Sequence, residues 1–200
     1  LASAENVNFG ANGSWSEPRR SGYEYNWSRA GATTQAALAA GAHTSLAGQM
    51  ADNLVSHAVV AIGQDDFLPG RSAYVGIYMQ GLPVLGGWTT EQIDAYTDTV
   101  VANIRTALGT VNDGGKVVLA NLIDFGAAPL AVGQYSDPAR RQLVTDVIAD
   151  VNSRIAALAA EYRVPLADLA GVSAALFGTG ASPVAAQTIG GTLFMNSSGE

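Results

Sequence analysis

The chain has no cysteine, which excludes disulfides, cysteine nucleophiles and thiolate metal sites. It has two histidines, His43 and His57, and neither stands in an H-x-x-x-H or H-E-x-x-H spacing, so no metal site is expected from this chain alone. Lysine is nearly absent: Lys116 is the single one, and ten basic residues face seventeen acidic ones for a formal net charge of −7. A surface that binds nucleic acid is normally basic, so no nucleic-acid partner is expected, and anionic membrane surfaces are disfavoured for the same reason. No apolar run approaches the roughly 18 residues that a membrane span requires. Neither G-x-G-x-x-G nor a P-loop occurs, so a nucleotide role has no motif behind it. The opening LASAENVNFG has no basic stretch followed by an apolar one and does not read as a signal peptide. Its first residue, Leu1, fits either a processed chain or a piece of a longer one.

What is present suits a folded protein. Of 200 residues, 48% are hydrophobic and 14% charged, the balance of one domain with a well-stocked core. NVNFGA (6–11) suits a short strand. A loop rich in Gly, Ser, Pro and aromatics then runs to about residue 34, and a loop of that length inside a domain is usually functional. The alanine-rich stretch from Thr33 to Asn53 predicts a helix, bent or broken near Gly41 and Gly48. HAVVAI (57–62) reads as a strand, and GRSAYVGIYMQG (70–81) as a short helix or a turn-rich segment. The clearest helix spans 89–108, capped by Thr89 or Thr90, with Ile93, Tyr96, Val100, Ile104 and Leu108 on one face. KVVLANLI (116–123) is a strand of the buried, continuously apolar kind. A second long helix covers 136–162, with Asp137 as N-cap, Pro138 in its first turn, and an inner stripe of Leu143, Val147, Val151, Ile155 and Leu158. VPLADL (164–169) is a further short strand. Strands alternating with helices imply right-handed crossovers and a parallel sheet, whose ligand sites lie at the carboxyl ends of the strands. Asp65, Asp66, Asp124 and Asp168 all fall at or near such ends.

Three stretches, in order, resemble blocks of the SGNH (GDSL-type) hydrolase family. YNWSRAGATT (25–34) is similar to the second block, with Gly31 as its glycine. AVVAIGQDDF (58–67) is similar to the G-x-N-D block that follows a strand. VVLANLIDFGAAP (117–129) is similar to the fourth-strand region, and V-P-x-x-D-L follows after a long helix. EPRRSGYEYNWSRAGATT also looks like the aromatic loop of secreted members. The resemblance covers roughly residues 6–180. It implies a three-layer α/β/α, flavodoxin-like domain with a central parallel sheet. It also implies secretion or another extracytoplasmic location, and a cofactor-free serine esterase acting on esters of lipids, small acyl groups or acetylated sugars. In that family a serine of a G-D-S block attacks the acyl carbonyl, a histidine of a D-x-x-H block takes its proton, and backbone N–H groups with an asparagine amide bind the oxyanion.

The chain departs from that pattern in three places. It has no G-D-S, no D-x-x-H after residue 168, and Asp65 where the family has the oxyanion asparagine. The first two departures suggest a single domain, 1–200, truncated at both ends and inactive alone. The third is internal. An ionised aspartate accepts hydrogen bonds and donates none, so it opposes an oxyanion unless protonated. By resemblance Gly31 and Asp65 occupy oxyanion positions, Gly63 and Asp66 shape the loop, and Tyr25, Trp27 and Phe67 line a substrate groove. The residues alone leave other readings open. Gly31 suits an ordinary turn, Asp65 a solvated or capping carboxylate, and the aromatics a loop pinned by burial. Asp124 and Asp168 read as caps of following turns, and neither histidine as catalytic. The alternative to an enzyme is a non-catalytic relative that binds a carbohydrate or acyl ligand, and Asp65 favours it.

Overall fold

The computed structural model describes residues 25–29, 31–112 and 116–184. The strand expected at 6–11 and most of the aromatic loop lie outside these. Thr33 caps α1 (Thr34–Ala39), and Gly41, at φ 69°, separates it from α2 (Ala42–Ala51). The break expected at Gly41 is there, whereas α2 runs straight through Gly48. β1 (His57–Val60) follows, then a 3-10 turn at Gln64–Asp66, α3 (Ser72–Tyr78), and α4 (Thr90–Asn112). β2 (Lys116–Ala120) leads through α5 (Pro129–Gln134) into α6 (Pro138–Tyr162), and β3 (Leu166–Ala167) into α7 (Leu169–Phe177).

The three strands form a parallel sheet in the order β1-β2-β3, with Val59 opposite Val118 and Leu119 opposite Leu166. Both connections pass through a long helix, so two right-handed crossovers set α4 and α6 on one face of the sheet. Their facing sides supply much of the core: Ile93, Val100, Ile104 and Leu108 from α4, and Val144, Ile148, Val151, Ile155 and Leu158 from α6, all buried. The stripe expected on α6 is therefore rotated. Leu143 and Val147 are only partly buried at its margin, because the helix packs α3 as well as α4 and turns Val144 and Ile148 inward. Asp137 caps α6 as expected, accepting from the Ala139 and Arg140 amides at 2.9 and 3.3 Å.

Each strand is shorter than its apolar run. The chain leaves the sheet at Val60 and Ala120, and Ile62, Leu122 and Ile123 pack in the loops beyond. β1 also alternates in burial. Ala58 and Val60 face the helices, while Val59 on the other face is 66% exposed. A strand covered on both faces would bury Val59, so the third layer expected from the resemblance is not seen over Val59 among the described residues. Among those residues no helix is long and apolar enough to cross a membrane.

The α4–α6 seam makes a simple prediction. Ile155→Ala removes a fully buried side chain and should cost about 2–5 kcal/mol in urea unfolding. Val84→Ala, at a site 96% exposed, should stay within about 0.5 kcal/mol of wild type.

Candidate functional site

The carboxyl ends of the strands open into loops tied together by side chains. The loop after β1 begins at Gly63, whose φ of 108° suits glycine alone and whose missing Cβ leaves room for Leu122. The 3-10 turn that follows turns Asp66 inward. Asp66 is 3% exposed and accepts from the Thr34 amide at 2.7 Å, the Thr34 hydroxyl at 3.2 Å and the Tyr96 hydroxyl at 3.2 Å. The Thr34 amide opens α1 and lacks a partner within its own helix, so a carboxylate 32 residues away completes it. Asn103 of α4 donates to the Thr34 hydroxyl at 3.1 Å and extends the network. Asp66 thus ties the loop after β1 to the start of α1 and to α4.

Burial is the largest influence on Asp66 and pushes its carboxyl above the usual carboxylate range. The Thr34 and Tyr96 bonds pull it back in part, and the charge of Asp65 adds to the rise. Tyr96 is raised as well, first by burial and then by the Asp66 charge.

Gln64 faces the end of the neighbouring strand. Its amide donates to the Asn121 carbonyl and accepts from the Ile123 amide, both at 3.1 Å. Asn121 in turn donates to Asp168 at 2.8 Å and accepts from the Ala170 amide at 2.9 Å. Asn152 of α6 makes the same two-sided contact with the backbone of Leu122. Two carboxamides therefore join the ends of β1, β2 and β3, and a third ties α6 to the chain just past β2. Asp168 caps α7 through the Gly171 amide, and its carboxyl is held below the usual range first by the Asn121 bond and then by that amide. Asp124 accepts from the Gly126 amide and the Thr145 hydroxyl, so both expected turn caps are found. Burial raises Asp124 despite those bonds.

Gly31, at φ 78°, and Asp65 meet through a third residue. Arg71 Nη2 donates to the Gly31 carbonyl at 2.9 Å and lies 4.0 Å from Asp65 Oδ1. The two residues assigned to oxyanion positions are thus brought to one corner by a guanidinium that the sequence reading did not single out. The side chains of Asp65 and Arg71 are 24% and 44% exposed, so the corner is open to solvent.

The aromatic candidates divide. Phe67 is fully buried and meets Tyr96 edge-on at 6.0 Å, so it belongs to the core and not to a groove wall. The apolar ring follows the inward-turning Asp66 into the interior. Trp27 is half-buried and donates to Gln49 of α2 at 2.8 Å, which pins its loop to the body. Tyr25 is half-buried at the start of the described segment.

His43 lies in α2 and His57 begins β1, at the end opposite the candidate loops. His57 Nδ1 is 2.9 Å from the hydroxyl of the adjacent Ser56, an exposed neighbour contact. A surface hollow of about 430 Å³ between α4 and α6, lined by Asp98, Arg105 and Arg154 among others, shares no residue with the strand-end loops. Among the described residues no group of His, Asp and Glu gathers closely enough to hold a metal ion. No family model, curated protein or solved structure matches the chain.

Sequence reading missed Thr34, Tyr96, Asn103, Asn121 and Arg71. Thr34 stood inside a quoted motif at a helix start, a position whose free amide asks for an acceptor. Arg71 follows a Pro-Gly turn and carried no signal of its own.

The raised Asp66 fixes a sign. Its folded form holds the proton more tightly than the unfolded chain, so its contribution to stability is full below the unfolded value and is lost as pH rises through the folded one. Asp66→Asn should therefore flatten the fall in unfolding free energy between about pH 4 and 7. Urea titrations across that range check it, and an unchanged slope would contradict it.

Proposed function

We propose that the chain is an SGNH-type ester hydrolase domain with a flavodoxin-like architecture. In this reading the Gly31 and Gly63–Asp66 loops form the oxyanion side of an acyl-transfer site. The observation that carries the reading is the junction of these two loops at the carboxyl end of a parallel sheet, locked by Asp66 on Thr34. Acyl transfer by this mechanism needs a serine nucleophile and a histidine base near that junction. The G-D-S and D-x-x-H blocks that supply them in the family do not occur in these 200 residues, so the reading requires them from sequence outside the chain. The substrates would be esters of lipids, small acyl groups or acetylated sugars, met outside the cytoplasm, with no cofactor.

Asp65 favours a second reading, a non-catalytic relative that holds a carbohydrate or acyl ligand at the same corner. A partly exposed carboxylate accepts hydroxyl hydrogen bonds from a sugar more readily than it serves an oxyanion.

Hydrolysis of p-nitrophenyl acetate separates the two. The 200-residue chain should show no turnover above buffer, while the longest product of its gene should turn the ester over and lose that activity when its G-D-S serine is replaced. In that longer product Asp65→Asn should raise neutral-pH rate by about 10- to 100-fold, because an amide donates to the developing charge that a carboxylate repels. A gene product without turnover, or without the two blocks, would leave the binding reading.

A further inference from the structure

We infer that Arg71 is the oxyanion-binding residue of this site, taking the place of the amide that position 65 lacks. This rests on the proposed reading of the Gly31 and Asp65 loops as an acyl-transfer corner. An anionic acyl oxygen needs a donor there, and an ionised Asp65 has none. Arg71 is held at that corner from two sides, by the Gly31 carbonyl at 2.9 Å and by Asp65 at 4.0 Å.

The guanidinium has five N–H donors in a fixed plane. Among the described residues the bond to Gly31 is the one hydrogen bond it makes, and 44% of the side chain is exposed. Donors therefore remain for a ligand, and the Gly31 bond sets the plane in which they are offered. A forked, permanent cation suits a tetrahedral or planar oxyanion better than a lysine ammonium would. Asp65 is then a competitor: it neutralises Arg71 in the empty site and must yield when an anion arrives.

Diethyl phosphate, an esterified tetrahedral monoanion, tests this on the 200-residue chain by calorimetric titration. Inorganic phosphate serves as the arm without ester groups. Wild type should bind diethyl phosphate. Arg71→Gln should weaken binding by about tenfold or more, Arg71→Lys by less, and Asp65→Asn should tighten it at low salt. No binding to wild type, or Arg71→Gln within about twofold of wild type, would overturn the assignment. So would inorganic phosphate binding as tightly as the diester. Should Arg71→Gln not fold, the Arg71 Nε–H resonance of the wild-type chain decides: a shift on adding diethyl phosphate supports the assignment and no shift overturns it. Binding through Arg71 alongside failure of the ester assay would remove the hydrolase reading and leave the anion site. Ester turnover without binding here would remove Arg71 alone.

Discussion

A carboxylate shut away from water is tolerated only where donors meet it, and Asp66 is met by two segments remote in sequence. Thr34, at the start of α1, gives it an amide and a hydroxyl, and Tyr96 of α4 gives it a second hydroxyl. The segment before β1, the loop after it and the first long helix are thereby fastened at one point. Removing any donor would leave a buried charge underserved, which costs more than the lost bond itself. The site depends on this junction, because it sets the Gly31 loop beside the Gly63–Asp66 loop and brings Arg71 within reach of both.

The carboxamides extend the same logic across the sheet. The strands are short, two residues in β3 and four in β1, and offer few ladder bonds of their own. Gln64, Asn121 and Asn152 satisfy backbone groups just past the strand ends, where the ladder no longer does. A rigid floor at the carboxyl ends results, and the partly exposed pair Asp65 and Arg71 stands on it. At the other end of β1, Ser56 accepts from the Lys116 amide, and its hydroxyl meets the ring of the adjacent His57.

How far the sequence made this legible differs by level. Long amphipathic helices and their caps were readable, since Asp137 followed by proline and the apolar spacing of α4 act locally. Strand length was not, because Ile62, Leu122 and Ile123 are as apolar in a loop packed on the core as they would be in a sheet. α5 and α7 were missed for a related reason. Proline opens the first, and the second is apolar nearly all round, so neither displays a polar face that would mark a helix period. In the site the two adjacent aspartates were visible as a pair, yet their division of labour was not. Asp66 turns in because Thr34 waits for it, and Asp65 stays out beside Arg71, both partners being distant in sequence. Phe67 shows the limit of reading a motif by its neighbours: it adjoins the site in sequence and lies in the core in space.

The Asp66 junction holds the site only as a fixed part of the fold and not as a surface contact. Amide hydrogen exchange at Thr34 reads it directly. A bond from that amide to a buried carboxylate predicts protection comparable to the amides of β2, although Thr34 is the first residue of a six-residue helix, where an amide has no acceptor within the helix. Exchange at the rate of an exposed loop amide would contradict it, and with it the placing of Gly31 and Asp65 at one corner.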